Sequence, residues 1–208
     1  ISVHSNGRSE IVDNDIYRNT RAGIKVRNFA SPKITNNKVR DGLAAGMFFS
    51  NACTGVVEGN TISSNSVAGI VITTQGNPAV RRNTIGESNA CGVAICDGGL
   101  GMFEDNVILN NTEIGVRVET GASPTFAGNV IKHNGTSAAL SITECALGEF
   151  RENNISGNSP VCVEVMRGAA PKVTKNTISG GEGIGITVSD GGRGEFSENT
   201  VTACKLAQ

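Results

Sequence analysis

The residues of this 208-residue chain with the richest chemistry are six cysteines, two histidines and six aspartates. Six cysteines raise three uses: disulfides, a metal site or a reactive thiolate. Zinc needs four converging ligands. No C-x-x-C occurs, and His4 and His133 stand far apart. Cys91 and Cys96 lie five residues apart across one extended segment, too far for the Cα separation of a disulfide. Asp97 and Asp190 each open an Asp-Gly-Gly triplet, which is turn chemistry and not the Gly-Gly-x-Gly-x-Asp calcium repeat. Carboxylate catalysis on an extended scaffold needs several Asp, Glu, His, Lys or Arg side chains gathered on one face. The spacing gathers none, so the sequence assigns no catalytic, metal or cofactor-binding residue and predicts no cofactor.

The elements that position these residues come from an internal repeat. Asn followed two positions later by Ile or Val recurs at Asn14, Asn37, Asn60, Asn83, Asn106, Asn129, Asn153, Asn176 and Asn199. The spacing is 23 except for 24 between Asn129 and Asn153, and the extra residue falls between Asn134 and Ala139. A second marker keeps the same period: Gly23-Ile24-Lys25-Val26, Gly46-Met47-Phe48-Phe49, Gly69-Ile70-Val71-Ile72 and onward to Gly185-Ile186-Thr187-Val188. A third apolar column precedes each Asn by three, from Ile11 and Ile34 to Phe103, Phe126, Phe150 and Phe196. The alternation inside each unit has period 2, which is strand spacing. One such coil cannot bury its apolar side alone, whereas stacked coils bury a continuous column. The predicted fold is all-β: a single right-handed parallel β-helix of about nine 23-residue rungs, with columns Ile24, Val26, Ile34 and Val39 inward. The asparagines are predicted to sit in left-handed turn geometry and to bond from rung to rung as a ladder. Against this repeat the six cysteines take six different positions, so none stacks on another and six free thiols are expected. Free thiols imply an intracellular, reducing compartment, the cytoplasm first and an organelle as the alternative.

A longer beat runs through the repeat. Pro32, Pro78, Pro124 and Pro171 mark alternate rungs, and Gly55, Gly101, Gly148 and Gly194 mark the rungs between. Basic residues accompany the first set (Lys33, Arg81, Lys172) and acidic residues the second (Glu58, Glu104, Glu149, Glu195). Opposite charges on adjacent rungs would hold the register. Over the whole chain 18 Lys and Arg stand against 19 Asp and Glu. That balance argues against a nucleic-acid partner, which needs a basic excess. No apolar run reaches the ~18 residues of a membrane span, so no direct membrane insertion is expected.

The alternation of Thr74-Gln75-Gly76-Asn77-Pro78-Ala79-Val80-Arg81-Arg82-Asn83 with Asp97-Gly98-Gly99-Leu100-Gly101-Met102-Phe103-Glu104-Asp105-Asn106 resembles the β-helix of the F-box only protein eleven family, built from CASH-type repeats. Ser5-Asn6-Gly7 and Asp190-Gly191-Gly192-Arg193-Gly194 fit the same pattern. The resemblance covers nearly the whole chain. It implies a non-enzymatic protein-interaction scaffold of the kind that presents substrates to a ubiquitin ligase. The family's F-box and zinc-binding domain have no counterpart among these residues. Similar repeats also occur in copper-site maturation proteins and in polysaccharide lyases or epimerases.

The residues expected to point outward on the strand after each Gly marker come in pairs. From the third rung they read Phe48/Ser50, Val71/Thr73 and Ala94/Cys96, an uncharged and partly apolar run proposed as the partner-binding face. Phe29 and Ala52 lie just beyond it. Two alternatives stand beside the scaffold: a rigid structural subunit of a large ciliary or photosynthetic type of assembly, and a polysaccharide-active lyase or epimerase. The enzyme gains if three or more carboxylate or basic side chains converge in a groove. Ile1 already occupies an apolar column, and the chain closes on Cys204-Lys205-Leu206-Ala207-Gln208 with no amphipathic helix. Residues 1–208 are therefore expected to be one β-helix domain within a longer chain or assembly, with end-to-end contacts or capping by neighbouring protein.

Overall fold

The structure, a computed structural model, describes residues 1–204. The closing segment Lys205 to Gln208, read as lacking an amphipathic helix, lies outside the described residues. The chain forms three nine-stranded parallel sheets. The first stacks Ser2–Val3, Ile24–Arg27, Met47–Ser50, Ala68–Ile72, Cys91–Ile95, Ile114–Val118, Ala138–Ile142, Val161–Val165 and Ile184–Val188. The second runs from Glu10–Val12 to Glu195–Ser197 and the third from Asp15–Tyr17 to Thr200–Thr202. Each residue pairs with one 23 positions away, as Val71 does with Phe48 and Ala94. From Val116 to Leu140 the offset is 24, while the Asn111 amide still meets Asn134 at 23. The added residue is thus absorbed between Asn134 and Leu140. Strands about 4.8 Å apart make the nine rungs a rod roughly 40 Å long. No helix among the described residues is long and apolar enough to cross a membrane.

The strands are short because each contributes one or two inward side chains before the chain must turn. Ile34 is fully buried between exposed Lys33 and half-buried Thr35, and Ile24, Val26 and Val39 are buried as predicted. Within the second sheet's column Phe103 stacks on Phe126 at 4.2 Å between ring centroids, and Phe126 on Phe150 at 5.5 Å. The alternation of Pro and Gly on this sheet has a steric cause. Gly55 adopts φ +116°, and a Cβ there would come within 2.5 Å of the Pro32 carbonyl oxygen. Cross-rung charge pairs follow the same beat: Arg81 to Glu58 at 3.2 Å and Lys172 to Glu195 at 3.7 Å.

The corners carry the polar interior. Asn83 donates its backbone N–H and its Nδ2 to Asn106 Oδ1, both at 3.0 Å. The same Nδ2 also donates to Val57 O at 2.9 Å and Arg81 O at 3.0 Å, while Asn83 Oδ1 accepts from Asn60. The asparagines do not themselves take the left-handed turn that the sequence suggested. That conformation falls one residue earlier, at Asp13, Asn36, Gly59, Arg82 and Asp105, leaving the Asn amide free to point inward.

A second ladder occupies the next corner and was not read from the sequence. Its positions are Asn19, Gly42, Asn65, Ser88, Asn111, Asn134, Asn158 and Gly181, at the same period. Asn111 and Asn134 repeat the first ladder's bonds, Asn111 Nδ2 donating to Asn134 Oδ1 at 2.9 Å. The amides of Asn65, Asn111 and Asn134 face glycines of the first sheet. A Cβ on Gly92 would lie 2.6 Å from Asn111 Nδ2, and one on Gly46 would lie 2.9 Å from Asn65 Nδ2. At Ser88 the side chain is too short, and its buried Oγ has no partner.

Two stability changes follow. Asn106→Ala removes the acceptor for two donors of Asn83 and one donor to the Val80 carbonyl, and is expected to cost about 2–4 kcal/mol by urea denaturation. Ser88→Asn restores the missing rung of the second ladder opposite Gly69, where no Cβ stands in the way, and is expected to add about 1 kcal/mol. A neutral first variant or a destabilised second one would show that the ladders do not hold the corners.

Candidate protein-binding face

The outward side of the first sheet divides into two parts. Phe48 and Val71 are half-buried and border a groove of about 710 Å³. Arg21, Lys25 and Arg27, all exposed, form one rim, and Ala44, Ala45 and Val67 the other. The strand Ile24–Arg27 puts Lys25 and Arg27 on one face by its period of 2, and Phe48 lies beside Lys25 by register. The Lys25 ammonium sits 5.4 Å from the Phe48 ring centroid. Among the described residues no carboxylate lies within ion-pair distance of Arg21, Lys25 or Arg27.

The other residues predicted for this face are less available. Ala94 is only 5% exposed, because it packs with Ala68 and Cys91 in a small apolar cluster outside the main core, flanked by Val71 and Ile114. Ser50 and Thr73 are buried at the strand ends. Thr73 Oγ1 donates to Asp97 Oδ2 at 3.0 Å, and half-buried Cys96 donates its thiol to the same oxygen at 3.7 Å. So the six residues Phe48, Ser50, Val71, Thr73, Ala94 and Cys96 do not make one open patch. Phe48 and Val71 face the groove; Thr73 and Cys96 belong to a polar corner organised by Asp97. Phe29, beyond the face, is 67% exposed. The uncharged run alone does not reveal the cationic rim; register supplies it, setting Lys25 beside Phe48 and Arg27 beside Ser50.

A second, polar cleft of about 250 Å³ crosses the second sheet near its far end. Glu149, Arg151, Glu152, Lys172, Lys175, Glu195 and Glu198 line it. This is a convergence of carboxylates and bases of the kind set out above for an enzyme. Its charges pair with one another: Arg151 with Glu152 at 3.6 Å, Lys172 with Glu195 at 3.7 Å and Lys175 with Glu198 at 3.9 Å. These side chains are 40–70% exposed, so the pairs are solvated and weak.

All six cysteines are free. Burial pushes the Cys53 and Cys162 thiols up to about 11 and raises those of Cys91 and Cys96. These four are held as thiols, packing groups that carry little thiolate at neutral pH. Cys162 and Cys204 occupy different repeat positions, so they do not stack, yet Cys204 is among the groups that raise the Cys162 thiol, because adjacent rungs bring diagonal positions together at a corner. Thiol titration of the denatured protein without reductant is expected to count six; four or fewer would contradict the free-thiol state.

Comparison with known proteins agrees with the geometry. Residues 1–85, 28–170 and 91–207 each match the family described as right handed beta helix region. Comparisons with curated proteins and with solved structures gave no match. With the matches spanning the rungs from first to last and the three parallel sheets stacking at the same period, the chain belongs to the right-handed β-helix family.

Proposed function

We propose that the protein is a non-enzymatic protein-interaction scaffold whose first rungs receive an acidic segment of a partner protein. One observation carries this reading: a groove floored by Phe48 and Val71 and rimmed by the three unpaired cations Arg21, Lys25 and Arg27. Carboxylates of the partner meet the rim through charge-assisted hydrogen bonds, and an apolar side chain beside them displaces water from the floor. The rod is fixed by its rung-to-rung bonds, so little order has to be created in the receptor on binding. The resemblance to the F-box only protein eleven family supports the same reading, and places substrate presentation to a ubiquitin ligase within the proposal. Free thiols support a reducing compartment as its setting.

A polysaccharide-active enzyme is the second reading, favoured by the polar cleft around Lys172. The mutual pairing of that cleft's charges weighs against it, since a proton-transfer group needs an environment that separates acid from base.

Selection of displayed random peptides on the isolated protein tests the proposal. The expected consensus carries Asp or Glu next to Leu or Phe, and the double change Lys25→Glu, Arg27→Glu should weaken the selected peptides by about tenfold or more, as should high salt. A consensus without acidic residues, or affinity untouched by the charge reversal, overturns the proposal. Turnover of uronate polymers by the unmodified protein would transfer the reading to the enzyme.

A further inference from the structure

The glycine column of the first sheet and the second Asn ladder are complementary in size along the rod. Gly46 faces Asn65, Gly92 faces Asn111 and Gly115 faces Asn134, each with an Asn amide nitrogen less than 3.0 Å from where a Cβ would stand. At Cys162 and Gly181 that order is inverted, while Gly185 and Cys204 keep it. The column reads Cys162 and then Gly185, while the ladder reads Gly181 and then Cys204. A Cβ on Gly181 would lie 3.1 Å from Cys162 Sγ, and a Cβ on Gly185 would lie 3.3 Å from Cys204 Sγ. Each sulfur thus lies against a glycine of the other's column one rung away, Cys162 beside Gly181 and Cys204 beside Gly185. Cys162 is fully buried, whereas Cys204 is partly exposed.

We propose that Cys162 and Cys204 are an oxidative modification site, a dithiol that a hydroperoxide closes into a disulfide. The accessible Cys204 sulfur, as thiolate, attacks the peroxide O–O bond. Its S–O bond forms as the O–O bond breaks, and water leaves after protonation. The buried Cys162 sulfur then attacks the Cys204 sulfenic acid sulfur and loses its proton, and a second water departs. Two thiols and one hydrogen peroxide give one disulfide and two waters. The bond would join positions forty-two residues apart and tie the corner after Thr200–Thr202 to the strand Val161–Val165 one rung below. Those last described rungs are partly open: Val188 and Val201 are 45% and 43% exposed, and Phe196 is only partly covered. Among the described residues, partly exposed Cys96 and exposed Cys145 have no second sulfur set against a glycine beside them.

The experiment treats the native protein with hydrogen peroxide, blocks remaining thiols and maps a tryptic digest. Cleavage after Arg151, Arg167, Arg193 and Lys205 places each of the two cysteines alone in its peptide, residues 152–167 and 194–205. The expected result is loss of two thiols, one linked pair of these two peptides in monomeric protein, reversal by dithiothreitol, and slower amide exchange in Glu195–Ser197 and Thr200–Thr202. Cys204→Ser should abolish the link and leave the other peptide reduced. Oxidation of Cys204 to sulfinic acid with Cys162 intact overturns the proposal. So does a link from Cys204 to Cys145 or to a second molecule.

Discussion

The structure depends on satisfying polar backbone groups at the corners of a dry interior. A coil of 23 residues has to turn three times around an apolar column, and each turn bends peptide groups inward where no solvent reaches them. An unpaired group there costs about as much as a whole hydrogen bond contributes. Asparagine meets the need because its side chain carries an acceptor and two donors on a short stem. Asn83 takes two donors of Asn60 on its oxygen and spends its own amide hydrogens on Asn106, Val57 and Arg81. The period of 23 is therefore the register of this ladder as much as that of the hydrophobic columns.

From that constraint the remaining choices follow. The second ladder's amides press against the first sheet, so the column beside Asn65, Asn111 and Asn134 is glycine. The left-handed residue before each Asn, Arg82 or Asp105 for instance, lies outside the ladder and needs no particular side chain. With the corners fixed, the outward residues become free to vary. The rod uses them in two ways: paired charges across the second sheet, and an unpaired cationic rim beside Phe48 on the first.

Much of this was legible in the sequence. The first ladder repeats without exception, and a period of 2 within each rung gives the inward columns directly. The second ladder was hidden because Gly42, Ser88 and Gly181 interrupt it. Only its packing against the glycine column shows that it is one structure. The binding face was read in part: side-chain direction follows from alternation, but coverage does not. Ala94 points outward and is still buried by its neighbours, and Thr73 turns to Asp97. The meeting of Cys162 and Cys204 was missed for a related reason. Column-by-column comparison finds residues stacked directly above one another, and these two meet on a diagonal between neighbouring columns.

The central claim is that the Asn ladders, and not the strands alone, hold the rod together. Native-state amide exchange resolved at single residues tests it most directly. The account predicts that the backbone amides of Asn37, Asn60, Asn83, Asn106 and Asn129 are protected as strongly as buried strand amides such as those of Ile62 and Ile85, and that Asn65, next to Ser88, exchanges faster. Rapid exchange at the ladder asparagines alongside protected strands would contradict it.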